Sequence, residues 1–280
     1  MLSNGNHFWL NGRLRRSGEA VISPYDRGLQ VGHGAFETMH VHEGKVFAVT
    51  RHWQRLCQSC KVLGIKAPEL TVFSDAVEET VAANGIDPAR VRFTITRDNG
   101  EGEGSPTMVV TVSQSLTHRP AARVATVPWP RNEQSPLCGV KCLSYADNVL
   151  ASEHASKLDA DEAVFGNTRG ELCEGATSNI FLVQPDVDGI ATPPLNAGCL
   201  PGVIRGLVIE LAEADGIQVA QRALALSTLS QAREAFLTSS TRYVQAVSHV
   251  DGQALFQSPG GYTRRLAELL KSLMAENPDP

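Results

Sequence analysis

The sequence predicts an α+β protein of two domains, within the broader α/β class, on three observations. Stretches of strict apolar and polar alternation are interleaved with stretches whose apolar residues recur every three or four positions. A polar run containing a proline, "QSLTHRPAA" at 114–122, follows neither period and divides the chain. With 280 residues and 42 % hydrophobic side chains, each part can bury a core without staples. The division gives a small N-terminal domain over 1–115 and a larger C-terminal domain over 123–280.

In the first domain, "FWLNGRL" is a hairpin signal, because Asn11 and Gly12 tolerate the positive φ angles of a two-residue turn. Phe36, Thr38, His40 and His42 then alternate with Ala35, Glu37, Met39 and Val41, which predicts a strand closed by a turn at Glu43-Gly44. Trp53, Leu56, Cys60 and Leu63 fall at helical spacing, and "FSDAVEETVAANGI" reads as a second helix stopped at Asn84-Gly85. The runs "RVRFTIT" and "TMVVTV" complete the domain as strands.

The second domain opens with a strand, "RVATVPW", and a turn-rich loop, "PRNEQSPLCG". "YADNVLASEHASKLD" reads as a helix with Val149, Leu150 and Leu158 on one stripe, and strands are expected at 162–166 and 178–184. "PGVIRGLVIELAEADG" is the clearest helix: Pro201 and Gly202 open it, Ile204, Leu207, Val208 and Leu211 form its buried stripe, and Gly216 stops it.

Composition narrows the function. A net charge of −5 with interspersed signs offers no basic tract for nucleic acid. The N-terminal "MLSNGNHFWL" lacks the pattern of a signal peptide and no apolar run approaches a membrane span, so a cytoplasmic protein is expected. Six scattered cysteines in a chain of this size read as reduced thiols, including Cys57 and Cys60, whose spacing falls within a helix.

Five of the six lysines, at 45, 61, 66, 157 and 271, lie in turns or among polar neighbours. Lys141 is flanked by apolar and small residues in "LCGVKCL", where burial would depress its pKa and make it an amine nucleophile or proton carrier; a lysine snorkelling to solvent fits the same pattern. Glu174 stands beside small hydroxyl residues in "CEGATSNIF", just before an apolar run. The helix start at 201–205 offers unpaired N–H groups to an anion. An amine, an acid and an anion-binding helix end are what pyridoxal 5'-phosphate requires, although the set is not unique to it.

The blocks "DRGLQVGHGAFET", "HWQRL", "GVKCLSYADNVLA", "DEAVFGNTRGELCEGATSNIFLV", "TPPLNAGCLPGVIR" and "LTSST", in that order over nearly the whole chain, resemble the class IV aminotransferases, the fold-type IV pyridoxal-phosphate enzymes. The resemblance implies a homodimer, with the cofactor in the cleft between the two domains and a small-molecule amino substrate. It implies that Lys141 bonds the cofactor and carries the α proton, that Glu174 pairs with the pyridine nitrogen, and that Arg55 grips the phosphate. The backbone N–H groups of Val203 and Ile204 and the hydroxyls of Ser239 and Ser240 complete that clamp. Ile204 stands where many relatives carry a threonine, which throws more of the hold onto the serines. Tyr145 is expected beside the ring and Thr177 and Ser178 along the substrate face, positions that ordinary packing explains equally well.

Members of the family share loss of the α proton and differ in the fate of the resulting carbanion. Phe36 stands where D-amino-acid aminotransferases place a tyrosine, and the loop "TRDNGEGEGSP" has no arginine or histidine after Arg97, so the usual D-amino-acid carboxylate trap is missing. The blocks around Lys141 and Glu174 look more like bacterial 4-amino-4-deoxychorismate lyases, which release pyruvate to give 4-aminobenzoate for folate synthesis. That lyase activity is the first expectation. An amino-acid aminotransferase, branched-chain or D-amino acid, is the alternative, and a non-catalytic cofactor-binding protein is a third. Arg27, Arg97 and Arg131 are loop cations able to meet a substrate carboxylate. His33, His40 and His42 lack a third ligand in register, so no metal is expected.

Overall fold

A computed structural model describes residues 5–97, 106–185 and 187–280. The loop stretch that bears on the missing carboxylate trap falls at 98–105, outside the described residues. The chain divides into two compact units, Met1–Leu116 with Val140–Tyr145 and Asn277–Pro280, and Thr117–Gly139 with Ala146–Glu276.

The first unit contains β1 (His7–Leu10), β2 (Arg13–Arg16), α1 (Arg27–Val31), β3 (Gly34–His42), β4 (Lys45–Val46), α2 (Val49–Leu63), α3 (Leu70–Asn84), β5 (Ala89–Thr96) and β6 (Met108–Gln114). Its antiparallel sheet runs in the order β2-β1-β6-β5-β3-β4. Alternation decides its two faces. Met39 and Val41 of β3 and Val91, Phe93 and Ile95 of β5 share a core with Leu56 and Cys60 of α2 and Phe73 and Val77 of α3. The rings of Phe73 and Phe93 lie 4.7 Å apart at its centre. Gly64 ends α2 and Gly85 ends α3 in the left-handed conformation that favours glycine.

Residues 140–145 were expected with the second domain, but they pack with the first unit because their backbone pairs with the start of β3. Phe36 N–H donates to Lys141 C=O at 3.0 Å and Leu143 N–H to Gly34 C=O at 2.8 Å. The tail 277–280 likewise belongs here, accepting from Ala48 N–H through Pro278 C=O at 2.7 Å.

The second unit contains β7 (Ala121–Thr126), α4 (Ala146–Lys157), β8 (Glu162–Gly166), β9 (Leu172–Gly175), β10 (Asn179–Val183), β11 (Ile190–Thr192), α5 (Val203–Ala214), β12 (Val219–Gln221), β13 (Glu234–Ser239), β14 (Tyr243–Val250), β15 (Gln253–Ala254) and α6 (Gly261–Glu276). Its sheet runs β12-β11-β10-β13-β14-β7-β8-β9, with β15 beside β14, and mixes parallel and antiparallel pairs. Strands β8 and β10 are buried at every position, which is why they read as continuous apolar runs rather than alternations.

Helix α4 corrects one expectation. Val149, Leu150 and Leu158 are more than half exposed, and the buried face carries Asn148, Ala151 and Ala155. Two alanines let the helix approach the sheet closely, and Asn148 Nδ2 donates to Ala176 C=O at 2.7 Å. Among the described residues, no helix is long and apolar enough to cross a membrane.

Candidate active site

Lys141 is held from both sides of its backbone. Its N–H donates to Ser59 Oγ at 3.3 Å, and its C=O accepts from Phe36. The close approach requires Gly34, where a Cβ would lie 2.5 Å from Ile95 O and 2.6 Å from Leu143 Cδ1. The side chain runs between aromatic rings: Nζ is 4.4 Å from the centroid of Phe36 and 5.8 Å from that of Tyr145, and these two rings meet edge to face at 5.2 Å. Phe36, a possible substrate or ring contact, and Tyr145, expected beside the ring, thus lie beside the lysine.

A residue that sequence reasoning missed joins them. Arg92 faces Thr38 in the β3–β5 register, one step diagonal from Phe36, and its guanidinium lies 3.6 Å over the Phe36 ring. Burial, with Arg90 nearby, pushes its pKa down to about 10, so it stays a cation at neutral pH. Arg97, the expected substrate contact, is exposed and donates to Gly64 C=O at 3.0 Å, at the end of α2. Arg27 is exposed on α1.

On the other face of β3, Glu37 is fully buried against α2. Its carboxylate accepts from Arg55 Nε at 2.9 Å and Nη2 at 2.6 Å, and from His52 Nδ1 at 2.7 Å. Burial alone would raise the Glu37 pKa, but Arg55 and His52 outweigh it and bring it down to about 2. Burial lowers the pKa of His52 despite the pull of Glu37, so the imidazole is a neutral donor and the ion pair proper is Glu37 with Arg55. The expected phosphate-gripping arginine is therefore preset by a carboxylate.

The second unit carries the acid. Glu174 lies on β9, where Oε2 accepts from Leu200 N–H at 2.8 Å and Oε1 is 3.6 Å from Arg131 Nε. Arg131 also stacks 4.2 Å over Phe165. Its Nε and Nη2 are buried without a hydrogen-bond partner among the described residues, so both donors are oriented by charge and stacking. Val203 and Ile204 are the first residues of α5, whose N-cap, Gly202, supplies no side chain to cover the first-turn N–H groups. Any Cβ at Gly202 would collide with Asn179 Oδ1.

Ser239 ends β13 and Ser240 follows it. Ser239 Oγ accepts from Arg242 N–H at 3.2 Å. Thr177 and Ser178, expected along the substrate face, direct their hydroxyls to the buried carboxylate of Glu162, at 2.5 and 3.3 Å. Of the histidines, His33 pairs through Nε2 with Leu63 C=O at 2.8 Å, while burial and then His42 push the pKa of His40 down to about 4. No cluster of three metal-ligating side chains occurs among the described residues.

Known proteins share this architecture. A protein of Methanocaldococcus jannaschii, whose name gives it provisionally as a branched-chain-amino-acid aminotransferase, is 33 % identical over 277 residues, 95 % of each chain. The bifunctional aminodeoxychorismate lyase / D-amino acid transaminase of Mycobacterium tuberculosis is 28 % identical over 269 residues, 89 % of this chain and 93 % of that one. The crystal structure of the branched-chain aminotransferase from Thermoproteus uzoniensis superposes with a TM-score of 0.88 at 26 % identity, covering 98 % of this chain and 96 % of that one. A model of the amino-transferase class IV family matches residues 34–250, and the chain belongs to that family.

Proposed function

We propose that this enzyme binds pyridoxal 5'-phosphate and transfers the amino group of a small amino acid. The observation that carries the reading is the Lys141 amine set against two aromatic rings with a second, half-buried cation, Arg92, over one of them. An amine needs that apolar wall to exchange protons near neutral pH, and a substrate carboxylate needs that cation. The donor set fits the cofactor: a lysine for its aldehyde, an acid for its ring nitrogen, and a helix start without a side-chain cap, with two serines, for its phosphate.

When bound, the cofactor supplies an electron sink for charge developing at the α carbon. Lys141 Nζ takes the α proton and returns it. Glu174, 3.6 Å from Arg131, pairs with the ring nitrogen and holds a proton there. Arg55, preset by Glu37, and the first-turn N–H groups of Val203 and Ile204, with Ser239 and Ser240, bind the phosphate. Arg92 orients the substrate by its carboxylate. The apolar rings of Phe36 and Tyr145 exclude water from the amine. The protein acts as a homodimer in the cytoplasm.

Lyase action on 4-amino-4-deoxychorismate is the second reading, favoured by the blocks around Lys141 and Glu174 and by the bifunctional mycobacterial relative. The lyase, the first expectation from sequence, and its aminotransferase alternative draw equal support from the relatives; the aminotransferase is put first here on the relative that matches 95 % of both chains at 33 % identity. Holoenzyme supplied with L-leucine or D-alanine and 2-oxoglutarate is expected to form the matching keto acid, and Lys141→Ala to form none. Release of 4-aminobenzoate from aminodeoxychorismate with no keto acid from any amino acid would replace the first reading by the second.

A further inference from the structure

We propose that the buried pair Glu162 and Arg242 is a positioning device that anchors the turn 239–243 to the loop 175–178 and so sets the turn for phosphate recognition. The role rests on the reading of the chain as a pyridoxal-phosphate enzyme.

Glu162 opens β8 at 2 % exposure. Its Oε1 accepts from Thr177 N–H at 3.1 Å, and its Oε2 accepts from Thr177 Oγ1 at 2.5 Å and Ser178 Oγ at 3.3 Å. The same Oε2 lies 3.3 Å from Arg242 Nη2. Arg242, its side chain 7 % exposed, donates through Nη2 to Asp161 C=O at 2.8 Å and through Nη1 to Gln245 Oε1 at 2.6 Å. One carboxylate and one guanidinium therefore tie together two segments distant in sequence.

Each segment shows the constraint. In the loop, a Cβ on Gly175 would collide with Ser178 Oγ and lie 3.2 Å from Glu162 Cγ, so the backbone closes tightly around the acid. In the turn, Tyr243 has φ 57°, the left-handed region, which a bulky aromatic residue keeps only where its surroundings over-determine it. Arg242 supplies that determination: its side chain is fixed by three acceptors and its N–H fixes Ser239 Oγ as an acceptor. The Ser239 hydroxyl proton is then directed to a different acceptor, the role a phosphate oxygen fills. A buried ion pair contributes little net stability compared with apolar packing, which favours a positional reason for keeping it.

The test reads phosphate recognition apart from folding. Protein stripped of cofactor is titrated with pyridoxal 5'-phosphate and, separately, with pyridoxal, which lacks the phosphate. Glu162→Gln and Arg242→Lys are each expected to lower the ratio of the two affinities about tenfold, the size of one weakened charge-assisted hydrogen bond, with pyridoxal affinity unchanged. An unchanged ratio overturns the proposal. So does a variant that loses both affinities together, by misfolding or otherwise, since the pair would then only hold the fold. Wild-type protein with no preference for the phosphorylated form would overturn the cofactor reading itself, a result distinct from either.

Discussion

Glu37 shows how one residue can set the pH behaviour of a site. Its pKa in the folded protein lies near 2 against 4.5 unperturbed, so the contribution of its ion pair is complete above pH 4.5 and is lost as pH falls through that window. Removing the charge while leaving Arg55 buried is expected to cost about 3 kcal/mol at pH 6. Urea unfolding of Glu37→Gln against wild type at pH 6 and pH 3 checks this: the gap between the two should narrow at the lower pH. Arg92 permits a second test at the same scale. Arg92→Leu should raise KM for the amino-acid substrate about tenfold and change kcat less, as expected when a binding contact present in both ground and transition states is removed. An unchanged KM would separate this cation from the substrate. Neither residue was legible as functional. Glu37 is one polar letter in an alternating strand, and Arg92 shares its strand with Arg90 and has Arg97 just beyond the strand's end.

At the scale of elements, the contact between β3 and the 140–145 segment decides where the lysine stands. Gly34 is wedged between that segment and β5, with Leu143 Cδ1 2.6 Å and Ile95 O 2.5 Å from any added Cβ. A backbone oxygen cannot swing away as a side chain can, so Gly34→Ala should cost about 1–3 kcal/mol. Chemical denaturation measures that loss, and the variant should also lose covalent capture of pyridoxal phosphate at Lys141. The helix periods of α2, α3 and α5 were legible because each keeps a single apolar stripe with glycine at or just beyond its end. Helix α4 was misread because its apolar letters face outward and small residues face inward. Strands β13 and β14, which bracket the serines, carry no alternation strong enough to mark them, since β13 is buried at nearly every position.

For the whole molecule, the single chain leaves apolar residues in water that the proposed homodimer would cover. Val21 is 81 % exposed, Leu29 69 %, Tyr25 65 % and Val31 61 %, all in one stretch of the first unit; Val149 and Leu150 are exposed on α4 of the second. The exposed apolar side chains at 21–31 of the first unit are the ones expected to lie in an association face. Light scattering on eluted protein should give twice the chain mass, and Leu29→Arg should shift it toward one chain.

By itself the sequence determined the α+β class, the main helices and the chemical types a pyridoxal enzyme needs, because period, turn chemistry and residue identity are local properties. The tertiary structure alone decided the partnerships: Phe36 with Arg92, Glu37 with Arg55, Glu162 with Arg242. Each depends on register or packing between separate segments of the chain, and a shift of one residue in its strand would turn Phe36, Glu37, Arg92 or Glu162 to the opposite face.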